Sequence, residues 1–156
     1  MVNPRILILP LLAAWLGGCS TNGPADAFVN QLPGSNTEVC GQKWALDLLR
    51  VDGDAIKPEQ PGSFTFLCND EGLAMGKSGL NSYRGNLELT PSGQVLWNTD
   101  SFVSTKMAGP PQLMDQESAY LRALARTQEA YLKANGGRLV LRDASGNNYI
   151  EYIRSP

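Results

Sequence analysis

Short alternating runs, each closed by turn residues, fill the sequence from Trp44 to Thr90. That texture restricts the chain to folds built on antiparallel strands. In "KWALDLLRVDGD", Trp44, Leu46 and Leu48 alternate with Ala45, Asp47 and Leu49, the pattern of a half-buried strand. "VDGD" is a turn, and "AIKPEQPG" is a loop with two prolines. "SFTFLC", residues 63–68, is a strand of aromatic and β-branched residues, and "NDEG" turns the chain. "LAMGKSG" returns, "YRGNLELT" runs on as a further strand, "PSGQ" turns, and "VLWNTDSFVST" runs back.

The texture then changes. "PPQLMDQESAYLRALARTQEAYLK" places Leu113, Tyr120, Leu121 and Leu124 on one helical stripe. Pro110 and Pro111 suit a helix start, and Asp115 and Glu117 are expected near its positive end. Periodicity alone carries the helix to Leu132, while "EAYLKA" also alternates as a strand, so the helix end stays open. "GRLVLRDASGNNYIEYI" is two alternating runs about a Ser-Gly-Asn turn, a hairpin. Strands, one helix, then strands predict an α+β fold with an antiparallel sheet.

The N-terminus carries a different message. Arg5 is the one charge ahead of "ILILPLLAAWLGG", an apolar run too short to span a bilayer of about 30 Å comfortably. It ends at "LGGCS", which resembles the lipobox of bacterial lipoproteins. That resemblance implies a signal peptide over residues 1–18, lipidation of Cys19 and an acyl anchor in the membrane. Ser20 after the cysteine implies sorting to the outer membrane, facing the periplasm. "STNGPADAFVNQLPGSNTEV" is rich in Asn, Gly, Pro and Ser, so residues 19–39 are expected to be a flexible tether and the folded domain to cover 40–156.

Composition excludes several functions. The chain has 156 residues, 42% of them apolar, with a net charge of −2 and no basic run. It has core material for one domain and no electrostatic footprint for nucleic acid. It contains no histidine, which removes Ser-His and Cys-His nucleophile pairs and every His-based metal site. Ser104 or Thr105 with Lys106 is a conceivable dyad, but a strand end with solvated hydroxyls is the simpler reading. Asp52 with Asp54, and Asp70 with Glu71, sit beside glycines as solvated turns. "GLAMGKSG" contains Gly-Lys-Ser at the wrong spacing for a phosphate loop, and no dinucleotide fingerprint occurs. No cofactor, metal ligand set or catalytic residue is assigned.

Together these pieces resemble the META domain, also called the HslJ-like domain, of bacterial envelope proteins. The resemblance is carried by Trp44-Ala-Leu46, "SFTF", "GKSGLNSYRG", "STKMAG", "LMDQESAYLRAL" and the closing hairpin, over roughly Gly41 to Arg154. It implies a curled antiparallel β-sheet packed with one main α-helix at about 111–126, a strand starting near Glu129, and no established enzymatic activity. Family members commonly carry cysteines where this chain has Leu80 and Gly109. Both are absent here. With Cys19 lipidated, Cys40 and Cys68 are left over in an exported chain, and they are expected to pair as a disulfide.

"SGLNSYRG" is then a strand-to-strand corner, with Tyr83 reaching into the core. Asn81, Tyr83, Arg84 and Lys106 are the candidates for a polar binding surface. The expected function is that of a non-enzymatic, membrane-anchored envelope lipoprotein that binds an envelope protein or acts under envelope stress. The alternative is a carrier of a small apolar ligand or lipid in a pocket of the curled sheet.

Overall fold

The computed structural model describes residues 32–33, 36–60, 62–133 and 136–156. The signal-peptide, Cys19 and most of the tether expectations lie outside them. In chain order the elements are β1 (Leu32–Pro33), α1 (Asn36–Val39), β2 (Trp44–Val51), β3 (Asp54–Ile56), β4 (Thr65–Cys68) and β5 (Leu73–Lys77). They continue with β6 (Ser82–Leu89), β7 (Val95–Ser104), α2 (Pro111–Ala125), β8 (Glu129–Lys133), β9 (Arg138–Arg142) and β10 (Tyr149–Arg154).

The strands form one antiparallel sheet in the order β1-β8-β9-β10-β2-β4-β5-β6-β7, with β3 pairing β2 off that path. The sheet curls until its far ends touch. Gln94 bridges Glu129, the Val95 N–H donates to the Gln128 carbonyl at 2.8 Å, and the Ala130 N–H donates to the Gly93 carbonyl at 2.7 Å. The result is a β half-barrel, and α2 lies across its concave side.

Helix α2 begins at Pro111 and stops at Ala125. It ends where the family resemblance placed it and well short of Leu132. The next residues leave the helix because β8 needs them: Glu129 to Lys133 pair with β9. Leu113, Tyr120 and Leu124 are buried, against a concave face that carries Trp44, Phe64, Phe66 and Tyr152. Each such side chain contributes about 1.5–3 kcal/mol by leaving water.

Three expectations need correction. Leu48 does not alternate inward with Trp44 and Leu46; Leu49 does, at 2% exposure. The cause is a bulge, because Tyr152 faces Leu46 while Glu151 faces Leu48, leaving Asp47 as the extra residue that flips the phase. The "AIKPEQPG" segment is not all loop. Asp54–Ile56 folds back on β2 through a turn in which Asp52 and Gly53 both have positive φ (52° and 94°). The fold also reaches back before Cys40. Leu32–Pro33 pairs with β8, α1 follows, and Val39 is 1% exposed.

Cys40 and Cys68 are joined, with Cα atoms 4.5 Å apart across a separation of 28 residues. The bond ties the segment after α1 to the end of β4.

Candidate functional site

The corner between β5 and β6 turns at Ser78 to Asn81, where Gly79 has a φ of 97°. The Ser78 N–H closes the turn on the Asn81 carbonyl at 2.8 Å. The Asn81 side chain is buried and uses every bond it has. Its Oδ1 accepts from the Met107 N–H and the Thr105 hydroxyl, each at 2.7 Å. Its Nδ2 donates to the Met107 carbonyl at 3.2 Å and to Glu117 Oε2 at 2.9 Å. Glu117 Oε1 accepts from the Ser78 hydroxyl at 3.0 Å. One carboxylate on α2 therefore latches the helix to the corner, and one amide latches the corner to the segment after β7. Glu117 is not a solvated residue at the helix start. It is 7% exposed, inside the helix's buried stripe.

Tyr83 points into the core, as expected. Its hydroxyl donates to the Thr65 carbonyl at 2.8 Å and meets the Tyr120 hydroxyl at 3.1 Å; Tyr120 in turn meets Tyr152 at 2.9 Å. Burial, with the neighbouring phenols, pushes all three hydroxyls well above the ordinary tyrosine range. These groups stay neutral and structural.

Arg84 and Lys106, the other two candidates, are exposed. Neither has an ion pair among the described residues. Arg84 lies on the convex face of β6, opposite Met75 and Val103, beside a shallow groove of about 500 Å³ with Leu73 at its wall. Lys106 lies on the other side of β7, in a groove of about 330 Å³ with Met107, Met114 and Leu121. The structure therefore does not unite the four candidates. Two are internal hydrogen-bonding and packing groups, and two point to different grooves on either side of one strand. The conceivable dyad is not assembled either: Thr105 gives its hydroxyl proton to Asn81, and Lys106 makes no hydrogen bond to Ser104 or Thr105.

The feature that residue-by-residue reading missed is the margin between β7 and α2. The helix packs against β2, β9 and β10 rather than β7, so a gap opens on the β7 side. Both ends of the gap are stitched. The Trp97 indole N–H donates to Thr127 Oγ1 at 2.9 Å at one end, and the Asn81–Glu117 latch closes the other. A second groove of about 640 Å³, lined by Leu96, Trp97, Thr99, Ala125 and Arg126, lies in the same gap. The available signal was in α2 itself: Met114, Leu121 and Ala125 follow helical spacing on a stripe offset from the buried one.

The concave side is filled by α2 and the tyrosine and phenylalanine rings. Phe64 and Tyr120 meet edge to face at 5.3 Å, and Phe66 lies 5.8 Å from Tyr152. This packing counts against a carrier pocket beneath α2.

With this architecture in place, comparison with known proteins is informative. The META domain model matches residues 37–154, and the chain belongs to that family. The fold is similar to an NMR structure of a protein from Burkholderia xenovorans, with 19% identity, 98% of this chain and 99% of that chain covered, and a TM-score of 0.66. It is also similar to the crystal structure of a DUF4847 family protein from Bacteroides vulgatus, with 12% identity, 77% and 96% coverage, and a TM-score of 0.57. At these identities the likeness is one of fold. No curated protein matches the sequence.

Proposed function

We propose that the protein is a non-enzymatic envelope lipoprotein, anchored through lipid on Cys19 at the outer membrane, whose META domain binds another envelope protein. The lipobox-like "LGGCS" supports the anchor. The observation that carries the binding reading is where the apolar surface lies. Among the described residues, the exposed apolar side chains Met107 and Met114 share one groove between the end of β7 and the start of α2, and Leu96 borders the groove at the other end of that gap, while Val103 lies beside Arg84 on the other side of β7. Single exposed apolar residues mean little, whereas a gathered set marks an interaction surface. Exposed methionines suit such a surface because their side chains adapt to a partner.

Among the described residues no nucleophile is paired with a base, and two of the four candidate polar groups, Asn81 and Tyr83, are taken up by internal bonds, which supports a binding role over catalysis. The test is purification of the tagged full chain from mild-detergent membrane extracts. One co-purifying envelope protein near equal stoichiometry supports the reading, with the chain moving to the soluble fraction in Cys19→Ala. An anchored chain that carries no protein contradicts the binding half, and a Cys19→Ala chain still in the membrane contradicts the anchor.

A further inference from the structure

We propose that the gap between β7 and α2 is the docking site, and that its occupant is an extended segment of a partner protein. The segment adds to the sheet as a strand along β7 and sets acidic side chains against Lys106 and Arg126. The inference rests on the partner-binding reading and assigns it a place, a mode and a chemistry.

The backbone supplies the mode. β7 is the last strand of the sheet path, paired on one side by β6. Successive residues of an antiparallel strand direct their N–H and C=O groups to alternate sides. The Thr105 N–H donates to the Ser82 carbonyl, so Ser104 turns its N–H and C=O away from β6, into the gap. An edge of this kind is a template for another strand unless something covers it. The opposite edge, β8, is covered by this chain's own Leu32–Pro33. The β7 edge is left beyond Val95, whose N–H donates to the Gln128 carbonyl.

The helix supplies the second wall. An extended peptide held between an edge strand and a neighbouring helix gains main-chain hydrogen bonds from the strand and side-chain pockets from the helix. Met114, Leu121 and Ala125 line the α2 side, with Trp97 at one end of the floor. A 15-residue helix is about 22 Å long, which matches roughly seven residues of extended chain. Four residues of β7, Thr99 to Phe102, bulge opposite Gly85. The occupant is therefore expected to pair on either side of that bulge.

Charge supplies the specificity. The gap carries one cation at each end, Lys106 and Arg126, and neither has an ion pair among the described residues. Its two lining acids are held by neutral donors of this chain, and neither pairs with Lys106 or Arg126 among the described residues. Glu117 accepts from Ser78 and Asn81, and Asp143 accepts from Asn148 at 2.7 Å and Ser145 at 3.0 Å. Asp100, in the bulge, lines neither groove. An apolar segment with acidic residues about one gap-length apart complements this arrangement.

The experiment places a photo-crosslinking residue in the full chain, in intact cells, at Leu96, Met107 or Met114, and at Asp54 or Asn147 as exposed positions away from the gap. The proposal expects crosslinks from the three gap positions to one segment of one envelope protein, with Asp or Glu beside the attachment site. Lys106→Glu, at an exposed position, is expected to lower their yield roughly tenfold. A synthetic peptide of that segment, added to the full chain, is expected to slow hydrogen exchange of the Ser104 amide at least about tenfold. Crosslinks from Asp54 or Asn147 alone would keep the partner and overturn the site. A Ser104 amide that exchanges unchanged would overturn strand addition. Crosslinks to lipid or to a second copy of this chain would overturn the occupant. Silence at every position, in cells where the partner co-purifies, would also overturn the site; silence with no co-purifying protein would remove the binding reading itself.

Discussion

Leu80 Cδ1 occupies the space a side chain on Gly109 would need: a Cβ built there would fall 1.9 Å from it. These are the two positions where the family resemblance places cysteines. They prove to be neighbours, and an apolar side chain seated over a glycine joins the β5–β6 corner to the segment leading into α2.

Gly109→Ala is therefore expected to destabilise the domain by no more than about 1 kcal/mol, because half-buried Leu80 must swing its side-chain end to another rotamer. Leu80→Cys combined with Gly109→Cys removes the clash and offers a cross-link. The double variant is expected to oxidise to a second disulfide, read by thiol counting on the unfolded protein. Two persistently free thiols would show that the backbones do not approach as described.

Glu117 ties α2 to the corner through both carboxylate oxygens. Glu117→Ala leaves one Asn81 N–H buried without a partner and the Ser78 hydroxyl with only the Asn81 carbonyl, 3.4 Å away, to donate to, at a cost of about 1–3 kcal/mol in urea unfolding. Glu117→Gln is expected to cost less than half of that, because a carboxamide can accept from Asn81 and donate to the Ser78 oxygen. Equal losses for the two variants would mean that the charge, rather than the hydrogen bonds, makes the latch.

Closing a 28-residue separation, the Cys40–Cys68 bond stabilises the fold by about 3.5 kcal/mol in the loop-entropy model. Reduction, or replacement of both cysteines by alanine, is expected to lower the urea midpoint by that equivalent. Cys40 is 4% exposed and Cys68 0%, so reduction without denaturant is expected to be slow.

The three core tyrosines predict an alkaline limit. Their folded pKa values are raised by burial, while the unfolded chain ionises near pH 10. Their contribution is full below pH 10 and falls as the pH rises above it. With three such groups the slope approaches about 4 kcal/mol per pH unit. Ultraviolet titration is expected to show these three phenols ionising together with unfolding. Ionisation that precedes loss of structure would contradict the buried chain.

Much of the fold was legible because strands with one wet face alternate and turns need Gly, Asn or Asp. "SFTFLC" and the closing hairpin are direct cases. The phase of β2 was not legible, since the bulge at Asp47 depends on how β10 pairs with it. The end of α2 was not legible from period alone, because residues 129–133 satisfy both a helical and an alternating pattern until β9 supplies partners. Among the candidate site residues, Asn81 and Tyr83 were recognisable as special, but their partners Glu117, Met107 and Tyr120 lie 26 to 37 residues away. The gap beside β7 was legible only in part: the offset stripe of Met114, Leu121 and Ala125 could be read, but not the lean of the helix towards β2, β9 and β10 that opens the gap.

The most direct test of the account is unbiased chemical crosslinking of the full chain in intact cells, with the attached proteins identified and the linked residues mapped. The account predicts one dominant envelope protein, linked near Lys106 or another residue bordering the β7–α2 gap. Diffuse links to many proteins, or none, would contradict a partner-binding lipoprotein.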